Sequence, residues 1–418
     1  MIFEIEYKKI IEKIKSINTH KYAASRNFLN GDVSYISAYL THGAVSLPQV
    51  LKLVTENESS EKSGVHEKFI QELAWREYFH RVWQAREDAG FDIFDNVYQS
   101  EHIEADSSVQ YKSGIPKAYL DISESTDSSR GENTENKIQM NNSSTGIKSI
   151  DENIKNLVNY GYMHNHARMW TSMLSANIAN YKWQDVSAWM YYYLLDGDMA
   201  SNTFSWQWVA GTFSNKKYIA NQENINKYDG KNREMGTYLD TDYENLYNAK
   251  LPGGMLNNVS FNLATDFTKL EEKNINSEVY FEFLKNIIDK NKKTLFYHIW
   301  NLDPIWCESE NVNRILIIEK SILEAFPMST KRIDFVLELA KNMSDKYADF
   351  SIVFVEDDAS FKKLLMLIDV NTSIYKDYPL CNHWSDVYSV KSIDRDWLYP
   401  GYAWKSGGFM NFWSKVNK

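Results

Sequence analysis

Four short stretches of this chain put chemically capable side chains on shared faces. Glu72, Trp75, Arg76 and Phe79 fall at i, i+3, i+4 and i+7, so an acid, a base and two aromatics share one helical stripe. Such a stripe either serves a ligand or is a partly exposed face with its own ion pair, and spacing alone leaves both open. Asn165, Arg168, Met169 and Ser172 share a second face, with His164 and His166 flanking Asn165. Histidines two apart on a helix point to different sides, unlike the i, i+4 pair of a zinc helix, so no metal site is expected. Asp196-Gly197-Asp198 only faintly resembles a calcium loop: Ala200 stands at the third ligand position and the loop glycine is missing. Its carboxylates suit hydrogen bonds from a ligand or a pairing with an arginine such as Arg168. The plain alternative is an interhelical turn with Asp198 as N-cap. Trp206 and Trp208, two apart, point to nearly opposite sides, so one can face a buried ligand and the other a cleft. The chemistry open to this set is stacking of a planar ligand or electron transfer between aromatic rings. Ordinary core packing is the alternative for each ring singly.

Helices must position these groups. Residues 1–120 read as helical, and Val65 to Ala89 contains neither Gly nor Pro. Residues 121–144 are rich in Ser, Asn, Glu and Thr without periodicity and read as an inserted surface loop. From Thr145 to Ala210 the pattern is helical again, with Met163, Ala167, Trp170 and Leu174 forming one buried face. Residues 231–292 read as a loop-rich connection. After about residue 293 the character changes: Ile315 to Glu319 and Ser351 to Glu356 are β-branched runs. Ser329 to Lys346 between them is a helix with Ser329 or Thr330 as N-cap, which suggests a parallel βαβ unit. The expected fold is therefore mainly α: an all-helical domain over 1–230, then a smaller α/β domain of unassigned role over 293–418.

The chain has 418 residues and 13 Trp, 27 Tyr and 20 Phe, with seven of the Trp between Trp75 and Trp208. A net charge of −10 argues against a broad nucleic-acid surface, although a local basic patch can sit on an acidic protein. The two cysteines, Cys307 and Cys381, show no metal-ligand spacing and fit a reducing compartment. Met1 to Ile17 carries no signal-peptide pattern, and the longest apolar run, Ala188 to Leu195, is far too short for a bilayer. A soluble, cytoplasmic protein without a membrane role is expected.

Taken together and in order, the motifs resemble the cofactor domain of the DNA photolyase/cryptochrome family. They are Glu72-Leu-Ala-Trp-Arg-Glu-Tyr-Phe79, Thr145-Gly146, Gly161-Tyr-Met-His-Asn-His-Ala-Arg-Met169, and Asp196-Gly-Asp198 followed by Asn202 and Trp206-Gln-Trp208. The resemblance runs from about Tyr22 to Asn226 and implies FAD held in a helical bundle. Tyr22, Ser34, Ile36 and Ser37 match the segment that holds the diphosphate, with Val33 where the family usually has Thr. Arg168 and Asp196 match the ion pair beside the isoalloxazine ring, Asp198 the residue near flavin and ribose, and Asn202 the position facing flavin N5. Trp206 and Trp183 match the first two members of the electron-transfer chain. Tyr98 and Tyr111 lie in the region of a third.

Glu72, Trp75, Asn165, Met169 and Trp208 match the residues that hold a flipped-out cyclobutane pyrimidine dimer. Aromatic walls stack the dimer and polar groups read its edges. The resemblance thus implies a lyase of the deoxyribodipyrimidine photolyase type, acting by electron transfer from reduced FAD on DNA, with single strands the easier substrate. The alternative it implies is a cryptochrome-like blue-light receptor with a protein partner, which the acidic charge and His166, in place of a common Arg, favour. Tyr162 replaces a Trp, and the stretch after Gly211 differs from the family pattern. The usual N-terminal antenna domain is not recognised, and no antenna chromophore is assigned. Residues 293–418 are expected to pack against the helical domain in its stead.

Overall fold

A computed structural model describes residues 3–56, 67–98, 145–179, 181–231, 233–248 and 263–417. The expected 121–144 insertion and Tyr111 lie outside the described residues. The helical part comprises α1 (Tyr7–Lys15), α2 (Thr19–Ser25), α3 (Ser37–Thr41), α4 (Leu47–Glu56), α5 (Glu67–Asp88), α6 (Lys148–Tyr160), α7 (Asn165–Met173), α8 (Trp183–Tyr193), α9 (Met199–Ala210) and α10 (Gln222–Asp229). Local signals set its boundaries. The Asn18 side chain caps α2 by accepting from the Lys21 amide. α6 stops at Gly161, whose φ of 70° is left-handed and where a Cβ would stand 2.6 Å from the Leu195 side chain. Met163, Ala167, Trp170 and Leu174 are all fully buried, as their spacing predicts. The end of α7 runs into a π-helical turn, Leu174–Ile178.

The α/β part holds a five-stranded, all-parallel sheet in the order β3-β2-β1-β4-β5. Its strands are β1 (Thr294–Tyr297), β2 (Asn313–Glu319), β3 (Phe350–Val355), β4 (Ile374–Lys376) and β5 (Lys391–Ile393). β2, all of whose residues are buried, has the continuous apolar character of a strand covered on both faces. The helices α11 (Glu278–Ile287), α12 (Thr330–Lys346), α13 (Asp358–Leu365) and α14 (Phe409–Val416) accompany the sheet. The β2–α12–β3 crossover is the predicted βαβ unit. Ser329 occupies the N-cap of α12, but its hydroxyl makes no capping bond.

The two parts pack directly on each other. The Leu302 amide donates to the His42 carbonyl at 2.9 Å, and the Tyr7 amide donates to Asn342 on α12 at 2.8 Å. Strand order reverses between β1 and β4, and a crevice opens beyond their carboxyl ends, the usual place for one in such sheets. Trp300, Lys376 and Tyr378 line it from the sheet side; Arg76, Glu77 and His80 of α5 line it from the helical side. Among the described residues no helix is long and apolar enough to cross a membrane.

Candidate functional site: a flavin cradle around the Asp196–Asp198 turn

The segment before α3 is irregular, with Tyr35 at φ 50°. Backbone amides of Val33, Ser34, Tyr35 and Ile36 donate no hydrogen bond to any described residue. Polar groups inside a fold need a partner, so a run of free amides beside the Ser34 hydroxyl is a donor set suited to an anion such as a diphosphate. Tyr22 stands nearby on α2, its ring edge-on to Phe69 of α5 at 5.3 Å.

Ser37 ties this segment to the rest of the site: its hydroxyl donates to Asp196 Oδ2 at 2.6 Å. The Arg168 Nη2 donates to both Asp196 oxygens at 2.9 and 2.8 Å, which is the predicted ion pair. The Ser37 hydroxyl thus orients Asp196 in the structure. Asp198 N-caps α9 through the Ser201 amide at 2.7 Å. Its other oxygen takes Arg76 at 2.9 Å and His80 at 2.8 Å. These donors hold the Asp198 carboxyl far below the ordinary carboxylate range although burial opposes them.

Glu72 pairs with Arg26 and Lys68 at 3.4 and 3.5 Å, not with Arg76. The stripe predicted on α5 therefore has no internal ion pair, because Arg76 turns to Asp198. Asn202 donates through Nδ2 to the Ser187 carbonyl and hydroxyl at 3.1 and 2.9 Å, which fixes its side chain and leaves Oδ1 without a partner among the described residues. Trp206 is buried with an unpartnered indole N–H, whereas Trp208 is 40% exposed. The two therefore face opposite ways as their spacing requires. Trp183 is buried, donates to Asn96 at 3.2 Å and lies roughly parallel to Phe94.

α9 packs against both α5 and α7. Glu72, Trp75, Asn165, Met169 and Trp208 all escape full burial, while Leu73, Ala167, Trp206 and Gln207 beside them are buried. One feature of this face was not readable beforehand. Phe409 at the start of α14 stacks on Trp75, with ring centroids 3.7 Å apart and planes 10° apart. The Tyr78 hydroxyl donates to the Gly407 carbonyl at 3.0 Å and holds the same segment down.

A second group missed by sequence reasoning is the buried polar face of α5. Glu77 accepts from the Leu398 and Tyr399 amides, and Arg81 donates to the Tyr399 and Tyr402 carbonyls. His80 joins Asp198 to Arg395. From α12 the fully buried Arg332 donates to the Tyr191 carbonyl at 2.8 Å and to the Gly197 carbonyl. A Cβ at residue 197 would stand 2.9 Å from the Tyr191 carbonyl oxygen and 2.6 Å from the Arg332 guanidinium that this same carbonyl holds, so this turn favours glycine. No group of three or more His, Cys, Asp or Glu suited to a metal occurs among the described residues.

Free amides at 33–36 and the Arg168–Asp196 pair meet through Ser37, with the fixed Asn202 amide and the buried Trp206 indole on the helix that follows, and this donor set fits FAD. Comparison with known proteins agrees. Residues 69–241 match the family described as the FAD binding domain of DNA photolyase. Tyr22, Ser34, Ile36 and Ser37 lie before that segment. A deoxyribodipyrimidine photo-lyase of Streptomyces griseus is 28% identical over 193 residues, covering 46% of this chain and 35% of its own. One from Buchnera aphidicola subsp. Baizongia pistaciae is 24% identical over 283 residues, covering 61% and 53%. The chain thus spans about a third to a half of the length of these relatives. The solved cryptochrome of Synechocystis sp. PCC6803 aligns with a TM-score of 0.42 at 17% identity, over 55% of this chain and 44% of that one. Over residues 69–241 the chain is similar to the FAD-binding domain of the DNA photolyase/cryptochrome family, and the cofactor this segment matches is FAD.

Proposed function

We propose that this protein repairs cyclobutane pyrimidine dimers in DNA under light. The observation that carries this reading is the set Glu72, Trp75, Asn165, Met169 and Trp208, none of which is fully buried although each lies on a helix whose adjoining residues Leu73, Ala167 and Gln207 are. Reduced FAD supplies, when bound and illuminated, the electron that splits the dimer. The protein's part is to bind and orient. Trp75 offers an aromatic face to the dimer, and Trp208 a second, exposed one. Glu72, held between Arg26 and Lys68, accepts a hydrogen bond from a thymine N–H while its neighbours keep it placed. Asn202, locked on Ser187, presents its amide oxygen to the flavin ring at the position assigned to N5. Trp206, dry and unpartnered, is the immediate donor for photoreduction, with Trp183 behind it.

A second reading, a cryptochrome-like photoreceptor, is favoured by one specific observation: Phe409 already occupies a face of Trp75. In that reading α14 is the element that flavin photochemistry releases toward a protein partner.

The deciding experiment illuminates reduced, FAD-loaded protein with an oligonucleotide carrying one thymine dimer and counts restored thymines by chromatography against a dark control. Single and double strands are compared at low salt. Light-dependent repair, lost in Glu72→Gln and Trp75→Ala, is the expected result. FAD-loaded protein that photoreduces but restores no thymine would reject repair in favour of the receptor reading. Trp206→Phe should slow photoreduction at least tenfold; an unchanged rate would remove Trp206 from the electron path.

A further inference from the structure

Asp198 is held by groups that reach it from two directions. Arg76 of α5 and the Ser201 amide belong to the helical part. The third donor, His80, is itself held from the α/β part: Arg395 Nη1 lies 2.8 Å from His80 Nδ1. A guanidinium has only donors, so His80 Nδ1 must accept. The ring proton therefore sits on Nε2 and is donated to Asp198 Oδ2 at 2.8 Å. Arg395 is held in turn by Asp377 at 3.1 Å, and its guanidinium lies over the Trp397 ring at 4.9 Å. The result is a continuous run, Asp377–Arg395–His80–Asp198, from the carboxyl end of β4 to the first residue before α9. His80 is buried and its neighbours are all accounted for: Arg76, Asp198, Arg395, Asp377, Glu77 and Tyr378 face it or its partners.

The adjoining residue of the turn is pinned from the same side, since Arg332 of α12 holds the Gly197 carbonyl. Two arginines of the α/β part thus act on the Asp196–Asp198 turn, one directly and one through an imidazole. We propose that Arg395 and His80 are positioning residues of the flavin site: across the boundary between the two parts, Arg395 keeps His80 Nδ1 unprotonated and His80 fixes the orientation of Asp198. This rests on the reading that Asp198 lies beside the flavin, and it gives the α/β part a role in tuning that cofactor. A ring held in one tautomer between a fixed cation and a fixed anion cannot reorganise as charge on the flavin changes, which is what a preorganised electrostatic environment requires.

The test uses the full chain with Arg395→Met, His80→Gln and Asp377→Asn. Nitrogen-15 NMR of the imidazoles, read without cofactor, should show His80 as the neutral Nε2–H tautomer in the parent. Arg395→Met should leave the proton on Nε2, which Asp198 still requires, but free Nδ1 so that His80 takes up a second proton at higher pH, because a neighbouring cation is gone while Asp198 remains. With FAD bound, the same variant should lower the flavin midpoint potential at pH 8, since a positive charge that favoured the reduced, anionic cofactor is lost. FAD should bind at least threefold more weakly. His80→Gln, whose amide both accepts from Arg395 and donates to Asp198, should retain the parent potential. Asp377→Asn keeps the cation and removes its counter-anion, so it should shift the potential in the opposite sense and less; it serves if Arg395→Met fails to fold. A changed His80 signal with unchanged potential and FAD affinity would overturn the proposal and leave the flavin reading standing. Failure of the parent itself to take up FAD would reject the flavin reading, and this inference with it.

Discussion

Removing the Phe409 ring tests whether α14 is a cover over the dimer-binding face. Phe409 is 4% exposed, stacks on Trp75, and also meets Tyr78, Phe412 and Trp413. Truncating a buried Phe to Ala costs about 3–5 kcal/mol. The contacts with Phe412 and Trp413 lie within α14 and survive when the helix lifts, so about 3 kcal/mol, the lower end, is what holds the ring over Trp75. With a factor of ten for each 1.4 kcal/mol, Trp75 is then uncovered in roughly one molecule in 150. Apparent affinity for anything that must stack on Trp75 is reduced by the same fraction. Phe409→Ala should therefore tighten binding of a single strand carrying one thymine dimer by up to about a hundredfold, and leave binding of the undamaged strand nearly unchanged. Fluorescence anisotropy with both oligonucleotides measures this, with circular dichroism confirming the fold. A change below about twofold for the damaged strand, in a folded variant, would refute the idea that Phe409 competes for this face.

Arg332→Met should cost about 3 kcal/mol, from two charge-assisted hydrogen bonds to buried carbonyls, and weaken FAD retention; a loss below about 1 kcal/mol by denaturant titration would show that the turn holds itself. Acidification should destabilise the protein through a buried histidine. Burial, with Arg332 nearby, lowers His42 to about 3, and burial also lowers His298 to about 3. His42 contacts two carbonyls, those of Ile299 and Leu195, which only a doubly protonated ring can satisfy, so the acid sensitivity is assigned to His298, whose Nε2 meets the Lys376 carbonyl while its Nδ1 accepts from the Trp300 amide, as a neutral ring does. For a base with a depressed folded pKa, the unfolded chain binds more protons between about pH 3 and 6.5, so stability falls as pH falls through that window. From pH 7.5 to 5 His298 removes about 2 kcal/mol by this linkage. Thermal melts across this range should show the decline, with a smaller slope in His298→Gln; a flat profile would mean that this ring protonates in the fold.

Much of the helical part was legible because its signals are local. The absence of Gly and Pro marks the stretch containing α5, and a 3.6-residue period gives the buried Met163–Leu174 face. Asp198 reads as an N-cap from its place before Met199, and Arg168–Asp196 is a plausible pair from residue type alone. The β2–α12–β3 unit shows in composition because both strands are long and apolar. By contrast β4 and β5 have three residues each, too few for any period to register, and exist only by pairing with neighbours. Residues Glu77, His80 and Arg81 look like an exposed polar face in sequence. They are buried because their partners, at 395–402, lie more than 300 positions away. The cover over Trp75 was hidden for the same reason. Nothing local to Trp75 announces an aromatic at 409.

α5 is therefore gripped on two faces by one C-terminal segment, and the two grips differ in kind. At 395–402 the contacts are ionic and hydrogen-bonded: Arg395 on His80, Leu398 and Tyr399 amides on Glu77, Tyr399 and Tyr402 carbonyls on Arg81, with Arg81 also 4.1 Å from the Trp397 ring centroid. Breaking any of these strands a buried charge, which is costly. At 407–413 the contacts on α5 are aromatic stacking and one neutral hydrogen bond, which solvent or another ring can replace. The segment should thus open in one order: α14 lifts from Trp75 while 395–402 stays anchored. Hydrogen exchange distinguishes the two grips. In Phe409→Ala the amides of Phe412 and Trp413 should exchange markedly faster, whereas those of Leu398 and Tyr399 keep their protection. Loss of protection at both places together would mean that the cover and the Arg395 anchor move as one body, and that uncovering Trp75 cannot occur without disturbing Asp198.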